Sequence, residues 1–309
     1  MANTVRISIL GAAVCLLLGA GSAQAQTFAR TYGGTKNDGA QSVAPTSDGG
    51  FAVAGYTGSF GVGADFWILK ADAKGNVGPA FPGTWQKLYR GGGNEFANSI
   101  VQTSDGGFAV AGWTDSFGAG NGDYYVLRLD ASGNILWKKT FGGASYEEAR
   151  SIVQTSDGGF ALAGFTYSFG AGGWDYWVLK LDASGAVQWQ KTFGAASDDF
   201  AYSIAPASDG GFAVAGYSYS FGAGDPDFWI LKLNSLGGVA WQKTFGGTGF
   251  DVARSIAQTS DGGFAVAGQT SSFGAGDADI WVLKLDPVGG VSLGKGSTID
   301  RAVLTGQSK

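Results

Sequence analysis

The chain has 309 residues, of which 25 are acidic and 20 basic, and no histidine. A net charge of −5 argues against a nucleic-acid partner. Without imidazole there is no Ser-His pair and no histidine ligand for zinc or copper, so any chemistry falls to carboxylates, Lys, Tyr, Ser and backbone groups.

Residues 1–25 have the layout of a secretory signal. Arg6 supplies the positive start, residues 7–18 the apolar run, and Ala23-Gln24-Ala25 a small-residue cleavage site. The lone cysteine, Cys15, lies inside that run, so the mature chain is expected to hold no thiol and no disulfide. Loss of Arg6 leaves 19 basic against 25 acidic residues. No later stretch is apolar enough to insert in a membrane, and the expected product is a secreted or periplasmic monomer.

Next comes Phe28-Ala29-Arg30-Thr31-Tyr32-Gly33-Gly34, which has strand chemistry but stands alone ahead of the repeats. Then Asp-Gly-Gly-Phe occurs five times, with its phenylalanine at Phe51, Phe108, Phe160, Phe212 and Phe264, spaced 57, 52, 52 and 52 residues apart. The longer first interval places an insertion within residues 75–83, where Pro79 and Pro82 stand among glycines. A period near fifty with no long 3.6-residue pattern signals a repeat architecture built of strands.

The third repeat predicts four strands, a to d, over residues 149–155, 160–167, 175–182 and 187–193. Asp157-Gly158-Gly159 suits a tight a–b turn. Strand c is apolar on both faces apart from Lys180, as a strand sandwiched between layers should be. Strand b alternates bulky residues with Ala161, Ala163 and Gly164, which suits close sheet-to-sheet approach. The expected fold is all-β: a five-bladed β-propeller, four antiparallel strands per blade, with a β-solenoid as runner-up. After the fifth repeat the d strand is worn to Val291-Ser292-Leu293-Gly294-Lys295-Gly296, whereas residues 28–34 match strand d elsewhere. The N-terminal strand is therefore expected to complete the fifth blade and close the ring. The expected organisation is a signal peptide at 1–25, one propeller domain at 26–290, and a degenerate strand with a mobile tail at 291–309.

Units such as Ser156-Asp157-Gly158-Gly159-Phe160-Ala161-Leu162-Ala163-Gly164, followed by Asp175-Tyr176-Trp177-Val178-Leu179-Lys180-Leu181-Asp182 and Trp189-Gln190-Lys191-Thr192-Phe193-Gly194, resemble the β-propeller repeats of secreted bacterial and archaeal proteins. Their relatives include seven-bladed repeat families. The resemblance implies architecture and export, and it brings no catalytic residues.

Two acidic positions recur. Asp38, Glu95, Glu147, Asp199 and Asp251 precede strand a, where they would ring a channel mouth and recruit a hard cation such as calcium. Asp65, Asp123, Asp175, Asp227 and Asp279 open strand c. For both sets the competing reading is a carboxylate that accepts backbone N–H groups and fixes a Gly-rich loop. An aromatic series, Tyr56, Trp113, Phe165 and Tyr217, follows the Ala-Gly of strand b and is broken by Gln269. Those rings serve either as stacking platforms for sugars or as packing between blades. Strand tryptophans Trp67, Trp177, Trp229 and Trp281, with Trp85, Trp137, Trp189 and Trp241, are assigned to the core by their recurrence.

Near-identical units suit a noncatalytic binding module with repeated sites for glycans or cell-surface components. One alternative is a glycoside hydrolase with paired carboxylates. Glu148 is its one irregular acid, at a position held elsewhere by Gly39, Phe96, Phe200 and Val252. Another is a purely structural surface protein.

Overall fold

A computed structural model describes residues 27–291. The leader at 1–25 and the tail beyond 291 lie outside the described residues. All regular elements described are β-strands, and no helix is long and apolar enough to cross a membrane. The chain divides into two compact units, Met1–Gly142 and Gly143–Lys309.

The first unit holds two sheets: β1 (Asp38–Pro45), β2 (Phe51–Thr57), β3 (Asp65–Ala71) and β4 (Trp85–Tyr89), then β5 (Glu95–Gln102), β6 (Phe108–Thr114), β7 (Asp123–Leu129) and β8 (Ile135–Phe141). The second unit holds three: β9 (Glu147–Gln154), β10 (Phe160–Thr166), β11 (Asp175–Leu181) and β12 (Val187–Phe193), then β13 (Asp199–Pro206), β14 (Phe212–Ser218), β15 (Asp227–Leu233) and β16 (Val239–Phe245), then β17 (Asp251–Gln258), β18 (Phe264–Thr270) and β19 (Asp279–Leu285). Each sheet is an antiparallel meander whose ladders join strands of one repeat. A solenoid would instead pair successive repeats. Strand a starts two residues earlier than expected, so the recurrent Asp or Glu is its first residue rather than part of the preceding loop.

Local chemistry explains each hairpin. In the a–b turn, Asp157 Oδ1 accepts the Gly159 N–H at 3.0 Å while Gly158 takes φ +77. The same Asp receives Lys180, which sits in β11 with a side chain 7% exposed and reaches Asp157 Oδ2 at 2.8 Å. Lys70 with Asp48, Arg128 with Asp105, and Lys232 with Asp209 repeat this clip. The cation in an otherwise apolar strand is therefore tied to the turn that opens the strand before it. The insertion of the first repeat falls in the loop between β3 and β4, where Thr84 Oγ1 donates to the carbonyl of Phe81 at 2.8 Å.

Within each unit the sheets pack face to face. Phe66 and Ile68 of β3 meet Phe108, Val110, Tyr125 and Leu127 of the second sheet. In the second unit Ala161, Ala163, Tyr176 and Val178 meet Phe212, Val214, Trp229 and Leu231, and Phe228 and Ile230 meet Phe264 and Val266. The expected close approach at Ala161 and Ala163 is thus seen. Of the strand-c tryptophans, Trp67, Trp177 and Trp229 are buried while Trp281 is only partly so. The strand-d tryptophans are half-buried clamps: Trp189 Nε1 donates to the Ser235 carbonyl of the next sheet at 3.1 Å, and Trp241 Nε1 to that of Pro287 at 3.0 Å.

The ends depart from expectation. Residues 28–34 form no strand, and the fifth sheet has three strands, with only an isolated bridge between Leu285 and Val291 beyond them. A lone segment has no ladder to join, and without one its extended backbone is not a strand. Its side chains nonetheless lie on the first sheet as β4 lies on the second. Phe28 stacks on Phe51 at 5.9 Å as Trp85 meets Phe108 at 5.7 Å. Tyr32 donates to the Gly75 carbonyl as Tyr89 does to that of Gly133.

Candidate functional site

Both acidic sets act first as loop anchors, except Asp65, neither of whose carboxylate oxygens accepts a hydrogen bond. Glu95 accepts the Gly91 N–H at 2.7 Å, Glu147 that of Gly143 at 2.7 Å, Asp199 that of Ala195 at 3.1 Å, and Asp251 that of Gly247 at 2.9 Å. Asp38, less buried, accepts from Gly34 at 2.8 Å. Hydroxyls of the b–c loop complete the grip, with Ser59 on Asp38, Ser220 on Asp199 and Ser272 on Asp251. In the strand-c set, Asp123 holds Ala119, Asp175 holds Ala171, Asp227 holds Ala223 and Asp279 holds Ala275. A ring of free carboxylates around a channel mouth is not what this geometry builds, because each acid turns back into its own loop. Among the described residues no three acidic side chains converge on a metal position.

The aromatic series is engaged in packing. Tyr56 meets Phe96 at 4.5 Å and Phe96 stacks on Trp113 at 5.2 Å. Phe165, 4% exposed, lies against Trp174 and Phe200, and Tyr217 against Phe200, Tyr202 and Phe250. Of the four, Phe165 alone is buried; Trp113 stacks on its cross-strand partner Phe96 within one sheet, while Tyr56 and Phe165 reach rings of the next sheet. Gln269 takes the same place opposite Val252, where no ring is needed.

The structure brings forward a different row. In every strand a the register slips by one residue after the recurrent Ala, so that Gln41, Asn98, Arg150, Tyr202 and Arg254 stand at the bulge. Such a bulge re-aims one side chain out of the pleat. It also explains the Gly of the Ala-Gly pair: a Cβ on Gly216 would lie 1.9 Å from the Phe200 carbonyl oxygen, and one on Gly268 2.0 Å from that of Val252. The close neighbour demanding glycine is thus strand a of the same sheet.

In the second unit three bulge residues meet. The Arg254 guanidinium lies 4.4 Å from the Tyr202 ring centroid and that of Arg150 5.4 Å from it, with Arg150 also 5.3 Å from Phe165. All three are half-buried. Arg150 is shared with Glu148, whose carboxylate is 3.2 Å from its Nε and accepts the Tyr146 hydroxyl at 3.0 Å. Arg254 makes no ion pair among the described residues. Burial, together with Tyr202 and Tyr219, pushes the neighbouring Tyr217 phenol up, and Arg254 opposes the rise. The sequence signal for this row was available, since these positions vary while their neighbours repeat. It was overlooked because a bulge is invisible to a period-two pattern.

The paired-carboxylate alternative fares worse. Glu147 is fully buried and accepts Thr166 Oγ1 at 2.9 Å and the Ser168 N–H at 3.0 Å, while Glu148, its neighbour along β9, turns to the opposite face.

No family model matches the chain. Over 138 residues it is 29% identical to the regulatory protein FlaEY of Caulobacter vibrioides, an overlap covering 40% of this chain and 14% of that protein. Among solved structures it is similar to a protein of unknown function from Bacteroides caccae, with TM-score 0.49 and 15% identity over 82% of this chain and 79% of that one. It is also similar to the WD40 domain of Neurospora crassa Pan2, with TM-score 0.44 and 13% identity over 80% and 76% of the two chains. A gluconolactonase from Xanthomonas campestris gives TM-score 0.44 and 12% identity over 82% and 74%.

Proposed function

We propose that this is an exported, noncatalytic binding protein of β-propeller type that recognises a carboxylate-bearing glycan through the bulge row Arg150, Tyr202 and Arg254. The observation that carries the reading is the pair of guanidiniums converging on one tyrosine in a chain whose net charge is −5. A guanidinium lying over an aromatic face keeps its N–H edge free, and that planar fork matches a carboxylate in two parallel hydrogen bonds. The Tyr202 ring and hydroxyl offer the apolar face and the polar tip that a sugar ring needs. Glu148 holds Arg150 in place, leaving Arg254 as the principal anion contact.

Calorimetric titration with an oligouronate should show binding that is weakened at least about tenfold by Arg254→Ala, with the melting temperature nearly unchanged. The matching neutral oligosaccharide should not bind. Equal affinity for both sugars, or an unaltered titration with Arg254→Ala, would refute the site. Binding of a polyglutamate peptide in place of either sugar would assign the surface to an acidic protein partner.

The finer architecture belongs to the same proposal: a five-bladed ring in which residues 28–34 supply the missing strand of the fifth sheet. Two features support it. These residues already lie on the first sheet in the manner of β4 on the second, beside an apolar groove of about 960 Å³ lined by Val43, Phe51, Val53 and Trp67. β19 is the one strand c with exposed apolar residues, Ile280 and Val282. Deleting residues 26–34 should therefore lower the melting temperature far more than deleting 298–309, and the reverse order would overturn closure by this segment.

A further inference from the structure

The carboxylates that open strand c and the acids that open the following strand a come together between neighbouring sheets, in a way that loop anchoring does not use up. Asp175 is 1% exposed; its Oδ2 accepts the Ala171 N–H at 2.7 Å, while Oδ1 has no hydrogen-bond partner. Asp199, fully buried, spends Oδ2 on Ala195 and Ser220. Both face one glycine: a Cβ on Gly194 would sit 1.6 Å from Asp175 Oδ1 and 2.7 Å from Asp199 Oδ2. The next junction repeats the arrangement, with a Cβ on Gly246 1.6 Å from Asp227 Oδ1 and 2.7 Å from Asp251 Oδ2. Asp227 is 2% exposed, and its Oδ1 is likewise without a partner.

The first sheet solves the same problem differently. Where the later repeats have Gly194 and Gly246, it has Arg90, whose Nε lies 3.9 Å from Asp65 Oδ2, at the junction with Glu95. One junction is thus provided with a positive charge by the sequence. The two junctions of the second unit keep a glycine in its place, and the space its missing side chain leaves is taken by the two facing carboxylates. A pair of uncompensated buried anions is costly, so each pair calls for a counter-charge.

We propose that the pairs Asp175–Asp199 and Asp227–Asp251 are cation sites, each taking one hard divalent ion of the calcium type as the counter-charge that Arg90 supplies in the first sheet. Facing carboxylates with unpartnered oxygens are the donors such an ion prefers, with backbone carbonyls and water to complete its six to eight ligands. Only two carboxylates contribute to each site. The affinity should therefore fall in the weak range of extracellular calcium modules, about 0.1–1 mM.

The test uses the full mature chain stripped with chelator, with thermal melts and calorimetry against calcium, magnesium and sodium chlorides. The expected result is a melting temperature that climbs through about 0.1–10 mM calcium and little with sodium, with two ions bound per chain. Asp175→Asn with Asp227→Asn should abolish the response. Gly246→Arg, which copies the first sheet, should halve the stoichiometry. If that variant does not fold, Asp227→Asn alone carries the same test. A flat melting temperature at the highest calcium, or a response undiminished in the double Asn variant, would overturn the proposal. So would a stripped protein that calcium leaves unchanged but acidification to about pH 5 stabilises, which would show each pair sharing a proton instead.

Discussion

β11 and β19 read Asp-Tyr-Trp-Val-Leu-Lys-Leu and Asp-Ile-Trp-Val-Leu-Lys-Leu, and they differ at one position. Every residue of β11 is buried, whereas Ile280 and Val282 of β19 are 87% and 64% exposed. β11 has β12 along one edge and the fourth sheet against its outer face; β19 has no strand d, and within its unit no sheet follows it. Six of seven residues are shared, yet the strand is core in one place and an open edge in another. Strand c is composed to be sandwiched, and the neighbours decide whether it is.

The sharpest way to probe that contrast is to cut equivalent side chains. Phe228→Ala, at a fully buried position, should cost about 3–5 kcal/mol, whereas Ile280→Ala decides between an edge that stays open, with a cost below about 0.5 kcal/mol, and the closed ring proposed above, as judged by denaturant unfolding. A loss of about 2 kcal/mol or more at Ile280 would mean that the face is covered in solution, which is what ring closure requires.

A smaller effect separates the buried acids from the clip acids. Burial raises Asp175 and Asp227 above the usual carboxylate range, so between about pH 4 and 7 the folded chain keeps protons that the unfolded chain has released. Their contribution to stability therefore falls as pH rises through that window. In chelator, Asp175→Asn with Asp227→Asn should flatten the decline by an amount on the order of 1–3 kcal/mol. The clip acids run the other way. Lys180 draws Asp157 down to about 2, and the Thr103 hydroxyl together with Arg128 draws Asp105 down to about 2, so their support is lost only as pH falls below about 4. Urea titrations at pH 4, 5, 6 and 7 would separate the two groups. A decline that is unaltered in the double variant would remove these acids as its cause.

The smallest effect returns to β11 and β19. Asp157→Ala strands the buried ammonium of Lys180 and should cost about 1 kcal/mol, a figure discounted for the half-exposed carboxylate. Asp261→Ala frees a Lys284 that is already 50% exposed and should cost less than that change, because solvent screens the exposed pair. Equal losses would show that the fifth sheet is as enclosed as the third.

Much of this was legible in the chain itself. The period of Asp-Gly-Gly-Phe located all five sheets, and the turn residues located the hairpins, because a tight turn needs positive φ and a carboxylate two residues from the N–H it binds. The loop-anchoring role of Asp175 and its equivalents was also readable from an acid beside a Gly-rich loop. The bulge row was not. Arg150, Tyr202 and Arg254 lie far apart in sequence, and only the slipped register between strands a and b turns them toward one another.

What the sequence determined alone was local: strand positions, turn chemistry, and the apolar character of strand c. Backbone dihedrals and hydrogen bonds within one repeat suffice for these. The tertiary structure alone decided which of five near-identical repeats is enclosed, which carboxylates face each other across a glycine, and which side chains share a surface. Those outcomes depend on distances between residues about fifty positions or more apart, where a single register slip, or one Arg90 in place of glycine, changes the chemistry without disturbing the pattern.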